Sequence, residues 1–192
     1  MKILRPARVL AASLLVLAFA GPAAARDRLG EKRDEVRRMR DEVLTQLYEA
    51  HPGAKARIRD AAGYAVFSSV GVNVFFASVA GGGGIVVERR TLRDAETFMN
   101  MGSAGVGLGL GVKDFRVIFV FTDRGRLQEF IEKGWDFSGQ ADAAAKSDDK
   151  GAAVSGAVTV RPGVEVYQLT KNGVALQVTL QGTKYWKDRD LN

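Results

Sequence analysis

The sequence of 192 residues predicts an α+β fold, with an N-terminal amphipathic helix followed by a mostly antiparallel twisted sheet or partial β-barrel with two inserted helices. Three observations predict this class. Apolar residues recur at helical spacing over residues 26–50, and after Gly63 the pattern changes to short β-branched and aromatic runs. The last third of the chain contains two turn signals, Pro162-Gly163 and Asn172-Gly173.

The first 25 residues have the three zones of a secretory signal peptide. A positive start is followed by an apolar run over residues 9–20 and by three alanines at residues 23–25. The run is shorter than the ~20 residues that a membrane-spanning helix needs, although an uncleaved anchor is the alternative. No cysteine follows it that could be lipidated. We therefore expect cleavage after residue 25 and a periplasmic or secreted protein.

The charge balance of the mature chain differs from that of the precursor. The signal peptide carries three cations, Lys2, Arg5 and Arg8, so its removal lowers the formal net charge from +6 to +3. This excess is too small to indicate a nucleic-acid partner. The chain has no cysteine, so burial of apolar surface must stabilise the single domain without disulfides.

The predicted first helix carries one apolar stripe. Its members are Leu29, Val36, Met39, Val43 and Leu47. Arg33, Arg37 and Arg40 border this stripe, and acidic side chains occupy the far face. Such a helix can lie at a lipid interface or can dock its stripe on the sheet. Because residues 26–50 hold seven basic and seven acidic side chains, docking is the somewhat stronger alternative.

Further elements follow from local patterns. Pro52 ends the first helix, and residues 54–62 predict a short second one that carries a basic cluster of Lys55, Arg57 and Arg59. The two inserted helices are predicted over residues 91–101, with Thr91 and Asp94 as a capping box, and from 122 or 123 to 133. The predicted strands are residues 64–67, 72–77, 85–88, 115–121, 152–161, 164–170 and 174–180, with a strand or loop at 135–145.

The glycine-rich segments are predicted to be structural. Gly71 separates the first two strands, and residues 81–84 suggest a glycine-only turn. Further on, glycines alternate with apolar residues, at Gly105, Gly107, Gly109 and Gly111. This period of two excludes the dinucleotide-binding fingerprint, and no Lys-Ser or Lys-Thr pair follows residues 81–84 to make a phosphate-binding loop. We expect a strand with one bare face, on which another element packs.

The sequence offers few residues for catalysis. There is no cysteine, and the one histidine, His51, stands beside a helix-ending proline. Zinc is therefore not expected, and the acidic residues 142–149 lack the spacing of a calcium loop. We expect no catalytic residues, no metal and no cofactor. A hydrolase using carboxylates that the sequence does not pair is the weakest alternative.

Five segments in order resemble the SYLF domain family: residues 63–67 (GYAVF), 102–111 (GSAGVGLGLG), 117–124 (VIFVFTDR), 137–145 (FSGQADAAA), and the pair 164–167 and 173–182. The resemblance covers residues 55–186. It implies a lipid-binding domain, often aided by an amphipathic N-terminal helix, and exported bacterial relatives. Together with the residue patterns before it, the resemblance divides the chain into a signal peptide (1–25), an amphipathic helical segment (26–54) and a SYLF-like β-rich domain (55–192).

Two hypotheses result. The first is an exported envelope domain, peripheral on a membrane, that binds anionic lipid or another amphiphile through six cations: Arg33, Arg37, Arg40, Lys55, Arg57 and Arg59. The second is a periplasmic structural or protein-interaction module without a lipid ligand, whose partner is another envelope protein. Exposure of Val36, Val43 and Leu47 would favour the first hypothesis, and their burial against the sheet the second.

Overall fold

The computed structural model describes residues 22–74, 77–106, 114–137, 156–170, 173–175 and 183–192, so most of the predicted signal peptide lies outside the described residues. The helices are α1 (Pro22–Ala50), α2 (Ala54–Asp60) and α3 (Arg124–Lys133). The strands are β1 (Gly63–Val74), β2 (Ala77–Glu88), β3 (Ala95–Val106), β4 (Asp114–Phe121), β5 (Trp135–Asp136), β6 (Val158–Arg161), β7 (Val164–Thr170), β8 (Gly173–Ala175) and β9 (Thr183–Lys187).

The nine strands form one antiparallel sheet in the order β5-β9-β3-β2-β1-β4-β7-β6, with β8 paired to β7. This architecture confirms the predicted α+β class with its N-terminal helix and antiparallel sheet. The turn prediction at Pro162-Gly163 is also confirmed, because Gly163 has a φ of 80° between β6 and β7. Strands β7 and β8 pair antiparallel, with Thr170 opposite Gly173, while Asn172 of the predicted Asn172-Gly173 turn lies outside the described residues.

One of the two predicted inserted helices is wrong. Residues 95–101 belong to β3, which pairs with β2 along its whole length, from Ala95 opposite Glu88 to Val106 opposite Ala77. Pairing with a neighbouring strand here overrides the local capping signal. The Asp94 carboxylate accepts hydrogen bonds from the side chain of Arg89 and the backbone of Arg90, so it closes the β2–β3 link and caps no helix.

The other inserted helix, α3, is confirmed with its caps. The Asp123 carboxylate accepts a 2.8 Å hydrogen bond from the Arg126 backbone at the N-terminus. At the C-terminus Gly134 takes a φ of 67° and donates its N–H to the carbonyl of Phe130. The short second helix is confirmed as α2.

The glycine-only turn predicted at residues 81–84 is also wrong, and so is the break at Gly71. Both segments lie inside long strands: Gly83 pairs with Ser68 on one side and Asn100 on the other, and Gly71 pairs with Ala80. The physical reason is steric. A Cβ at position 84 would overlap the ring of Phe67 and the carbonyl oxygen of Val66, so glycine lets β1 and β2 approach closely.

The sheet has two covered faces. One face packs on α1 and α2, where Val43 and Leu47 are 1% and 0% exposed and Val36 is half-buried against the same core. The stripe of the first helix therefore docks on the sheet. The opposite face packs on α3 through a cluster of aromatic side chains: Phe67, Phe119, Phe121, Phe130, Trp135, Phe137 and Tyr185. None of the helices among the described residues has both the length and the apolar run needed to cross a bilayer.

Candidate functional site

An open cleft of about 1040 Å³ lies at the rim of the α1 face, between α1, the start of β3 and the residues that follow β9. Beneath it lie Tyr64, Val87 and Phe98, three side chains that are buried in the core. Eight charged side chains line it, five cationic and three acidic: Arg33, Arg37, Arg40, Arg93, Lys187, Asp41, Asp94 and Glu96. We call this feature the basic cleft.

The first helix positions three of the five cations. Arg33, Arg37 and Arg40 follow one another at steps of four and three, so they lie along one side of α1. Because the neighbouring apolar stripe is docked on the sheet, this side of the helix faces the edge of the sheet at β3. The three arginines predicted from the sequence are therefore brought together, in a cleft and not on a free helix surface.

Two of these arginines share one carboxylate. Arg37 donates from Nε to Oε2 of Glu96, and Arg40 donates from Nη1 to Oε1, both at 2.9 Å. The hydrogen bond to Glu96 is the main cause that raises the pKa of Arg37. Burial lowers the pKa of Arg40, but its hydrogen bond to Asp41 and the nearby negative charges outweigh burial, so the net shift is upward. Both side chains are permanently charged and tie α1 to β3.

The other three cations of the cleft have no acidic partner among the described residues. Arg33 donates from Nε to the carbonyl oxygen of Leu191 at 2.7 Å and makes no ion pair within the described part of the chain. Arg93, in the β2–β3 link, and Lys187, at the end of β9, are exposed, and the described residues provide neither with an ion pair. The cleft therefore holds positive charge that the described part of the chain does not neutralise.

The second predicted basic cluster lies elsewhere. Arg57 makes a bidentate pair with Glu165, at 2.9 and 2.7 Å, and Arg59 pairs with the adjacent Asp60. Lys55 is exposed and, with Arg59, borders a separate depression of about 460 Å³. None of these three residues lines the basic cleft. The six cations proposed from the sequence are thus divided between two places.

Sequence reasoning missed Arg93 and Lys187. Arg93 was placed in a helix that does not form, and Lys187 lay outside every pattern. Only the pairing of β9 with β3, in which Lys187 stands opposite Met99, brings residues that are 94 positions apart in sequence, Arg93 and Lys187, to one cleft. No local signal could have indicated this contact.

The remaining candidates from the sequence are His51 and the alternating glycines. His51 packs against Gly156, which has a φ of 70° and where a Cβ would overlap the imidazole ring. Among the described residues, no group of three or more His, Asp or Glu side chains is placed to hold a metal ion. Gly105 lies in β3 opposite Ser78, whereas Gly107, Gly109 and Gly111 fall outside the described residues, so the bare-face prediction for them stays a prediction.

Comparison with known proteins finds similarity to a bacterial protein over most of this chain. The chain is 31% identical over 163 residues to Beta cell expansion factor A of Aeromonas veronii. The matched region is 84% of this chain and 59% of the relative, so the chain spans less than two thirds of that protein's length. No family model matches the sequence.

Proposed function

We propose that this protein is an exported lipid-binding domain of SYLF type, and that it binds anionic lipid through the basic cleft. The observation that carries the proposal is the gathering of Arg33, Arg93 and Lys187, without ion pairs in the described part of the chain, in one open cleft. Phosphate groups, such as those of anionic lipid headgroups, are bound well by guanidinium and ammonium groups. Export rests on the predicted signal peptide.

The arrangement supports headgroup binding and argues against insertion of the first helix. Val43 and Leu47 are buried, so the apolar stripe would have to leave the sheet before it could enter lipid. Exposing these two side chains would cost about 1.5–3 kcal/mol each. In this proposal α1 stays docked and contributes its arginine border.

The SYLF assignment rests on the sequence resemblance, and the fold is compatible with it. Two of the resembling segments, residues 63–67 and 117–121, lie side by side, with Phe67 of β1 opposite Val117 of β4. Segments that pair in one sheet behave as parts of one domain. This neighbourhood supports treating the resemblance as a property of a whole fold and not of scattered motifs.

The test is flotation of the protein with vesicles of phosphatidylcholine alone or mixed with phosphatidylglycerol. We expect binding only to the anionic vesicles at low salt, and loss of binding at 1 M salt, where the screening length falls to about 3 Å. A cation near an anionic surface contributes about 1 kcal/mol, so changing Arg33, Arg93 and Lys187 together to Glu should weaken binding at least hundredfold.

The matched control changes three exposed cations outside the cleft, Lys32, Arg38 and Lys133, to Glu. Equal losses in both triple variants would indicate attraction by overall charge and would contradict a site. Thermal unfolding of each variant separates loss of binding from loss of fold.

A protein-interaction module is the second candidate function, and the burial of Val43 and Leu47 favours it, because the first helix then serves the fold. Under this alternative the cleft receives acidic side chains of an envelope protein. Wild-type protein that ignores anionic vesicles at low salt would contradict lipid binding and leave this alternative.

A further inference from the structure

We propose that the link between β2 and β3, residues 89–94, is a membrane-insertion tip, with Leu92 entering the lipid layer while the adjoining basic cleft holds headgroups. The inference rests on the proposed function and adds to it the element that touches the membrane. The ligand in this proposal is lipid in a bilayer. A soluble anion would bind in the cleft alone and would not involve Leu92.

Leu92 is the most exposed large hydrophobic side chain among the described residues. Its side chain is 99% exposed, whereas the other such residue, Trp186, is 42% exposed. Single exposed leucines are common on protein surfaces and need no explanation by themselves. What distinguishes Leu92 is its position at the tip of a link whose two ends are both fixed.

Several hydrogen bonds hold this link in place. Arg89 donates its backbone N–H to the carbonyl of Ala62 at 2.9 Å, and its side chain bonds Asp94 across the link at 2.6 Å. Arg124, from α3, donates to the backbone carbonyl of Arg89 at 3.0 Å. These bonds anchor residues 89 and 94 and leave Leu92 projecting between them. An exposed apolar tip on an anchored link loses little conformational entropy when it enters lipid.

The charges around Leu92 fit a lipid interface. The link contains three arginines; Arg89 pairs with Asp94, and Arg90 pairs with Glu88. The third, Arg93, has no ion pair among the described residues and lines the basic cleft directly beside Leu92 in sequence. An apolar side chain flanked by cations is the arrangement by which peripheral proteins combine insertion with attraction to anionic headgroups.

Trp186 is the other exposed large hydrophobic side chain among the described residues, and it lies in β9. Trp186 precedes Lys187, as Leu92 precedes Arg93, and both cations line the same cleft. Tryptophan is enriched at membrane–water interfaces, where its ring lies at the level of the headgroups. In sequence, each of these two exposed hydrophobic residues therefore stands directly before a cation that lines the cleft.

The experiment compares two ligands that share a headgroup: vesicles containing phosphatidylglycerol, and a short-chain phosphatidylglycerol kept below its micelle concentration. Leu92→Ala should weaken partitioning into vesicles about tenfold, equivalent to 1.4 kcal/mol, and leave binding of the short-chain lipid unchanged. The neighbouring exposed Thr91→Ala serves as the matched control and should alter neither. The cleft variant with Arg33, Arg93 and Lys187 changed to Glu should lose both.

Insertion depth is measured with Leu92→Trp. Its emission should shift to shorter wavelength on vesicle binding and should be quenched by lipids brominated on the acyl chains, to a degree beyond that of the wild-type tryptophans.

Vesicle binding that is unaffected by Leu92→Ala, or a position-92 tryptophan that escapes quenching, would overturn the insertion tip while leaving the cleft as a lipid site. Wild-type binding of the short-chain lipid without vesicle binding would also overturn it. Binding of neither ligand would refute the proposed function itself.

Discussion

The two faces of the sheet are covered by helices in different ways. On the α3 face seven aromatic side chains pack against one another, and Phe119 alone has ring centroids of five neighbours between 5.2 and 6.2 Å away. On the α1 face the buried side chains are mostly aliphatic, and the rim is held by arginines that reach across to Glu96 and to the carbonyl of Leu191.

This difference separates stability from binding. Aromatic packing is short-ranged and insensitive to salt, so the α3 face should contribute strongly to the free energy of unfolding and little to binding. Ion pairs at a partly exposed rim contribute little to stability, yet they hold charge beside an open cleft. We expect variants of the α3 face to change the unfolding midpoint, and variants of the α1 rim to change the binding of anions.

The largest expected effect is that of Phe119→Ala on the α3 face. Removing this fully buried ring should lower the free energy of unfolding by about 3–5 kcal/mol, measured by urea denaturation. Val36→Ala, half-buried on the α1 face, is the comparison and should cost distinctly less. Equal losses from the two variants would contradict the division between the faces.

The next effect concerns the glycines of β2. Gly84→Ala should destabilise by about 1–3 kcal/mol, because its Cβ would overlap the Phe67 ring and the Val66 carbonyl. Gly83→Ala is the matched control: its Cβ would meet only the carbonyl oxygen of Met99, at 3.9 Å, an ordinary contact. Thermal melts of the two variants should therefore differ, and coincident melts would contradict close approach of β1 and β2 as the reason for glycine at 84.

The sequence predicts the elements whose causes are local. The docked stripe of α1 follows from helical periodicity, and α3 follows from Asp123 and Gly134, whose caps need only residues a few positions away. The strand over residues 95–106 could not be predicted in this way, because its partner β2 supplies the hydrogen bonds that decide between helix and strand. The same holds for residues 81–84, because four consecutive glycines indicate a turn unless the packing of Phe67 is known.

The candidate site, too, can be predicted from the sequence only where its causes are local. Helical spacing placed Arg33, Arg37 and Arg40 on one side of α1, which the structure bears out. It could not indicate that Glu96, more than fifty residues away, accepts from two of them, nor that β9 delivers Lys187 to the same cleft. Long-range strand pairing therefore determines which of the predicted cations are neutralised and which are left to bind a ligand.

A smaller effect, of opposite sign, is expected at Tyr185 on the α3 face. Its hydroxyl is buried and has no hydrogen-bond partner among the described residues, so Tyr185→Phe should raise the free energy of unfolding by about 1 kcal/mol. Burial also raises the pKa of Tyr185 above its ordinary value of 10.0. Above about pH 10 the unfolded chain then loses a proton that the folded chain keeps, so wild-type stability falls as pH rises.

In the Phe variant this alkaline decline should be shallower, as measured by urea denaturation between pH 8 and 11. The decline should persist in part, because burial also raises the pKa of Tyr64 and of Tyr167. A variant that is less stable than the wild type at pH 8 would show that the hydroxyl contributes to the fold after all.

The smallest change in stability, with a distinct effect on binding, is expected for Glu96→Gln on the α1 rim. The amide keeps the shape of the side chain but removes the charge shared by Arg37 and Arg40, so the basic cleft gains one net positive charge. Loss of two partly exposed ion pairs should cost less than about 1 kcal/mol. Affinity for vesicles containing phosphatidylglycerol should rise severalfold at low salt, since one charge near an anionic surface is worth about 1 kcal/mol. The gain should vanish at 1 M salt.

Glu129→Gln, which removes a comparable carboxylate paired with Arg126 on α3, is the control and should leave vesicle affinity unchanged. If both variants raised affinity equally, overall charge and not the cleft would govern binding. The α1 rim would then have no binding role that distinguishes it from the α3 face.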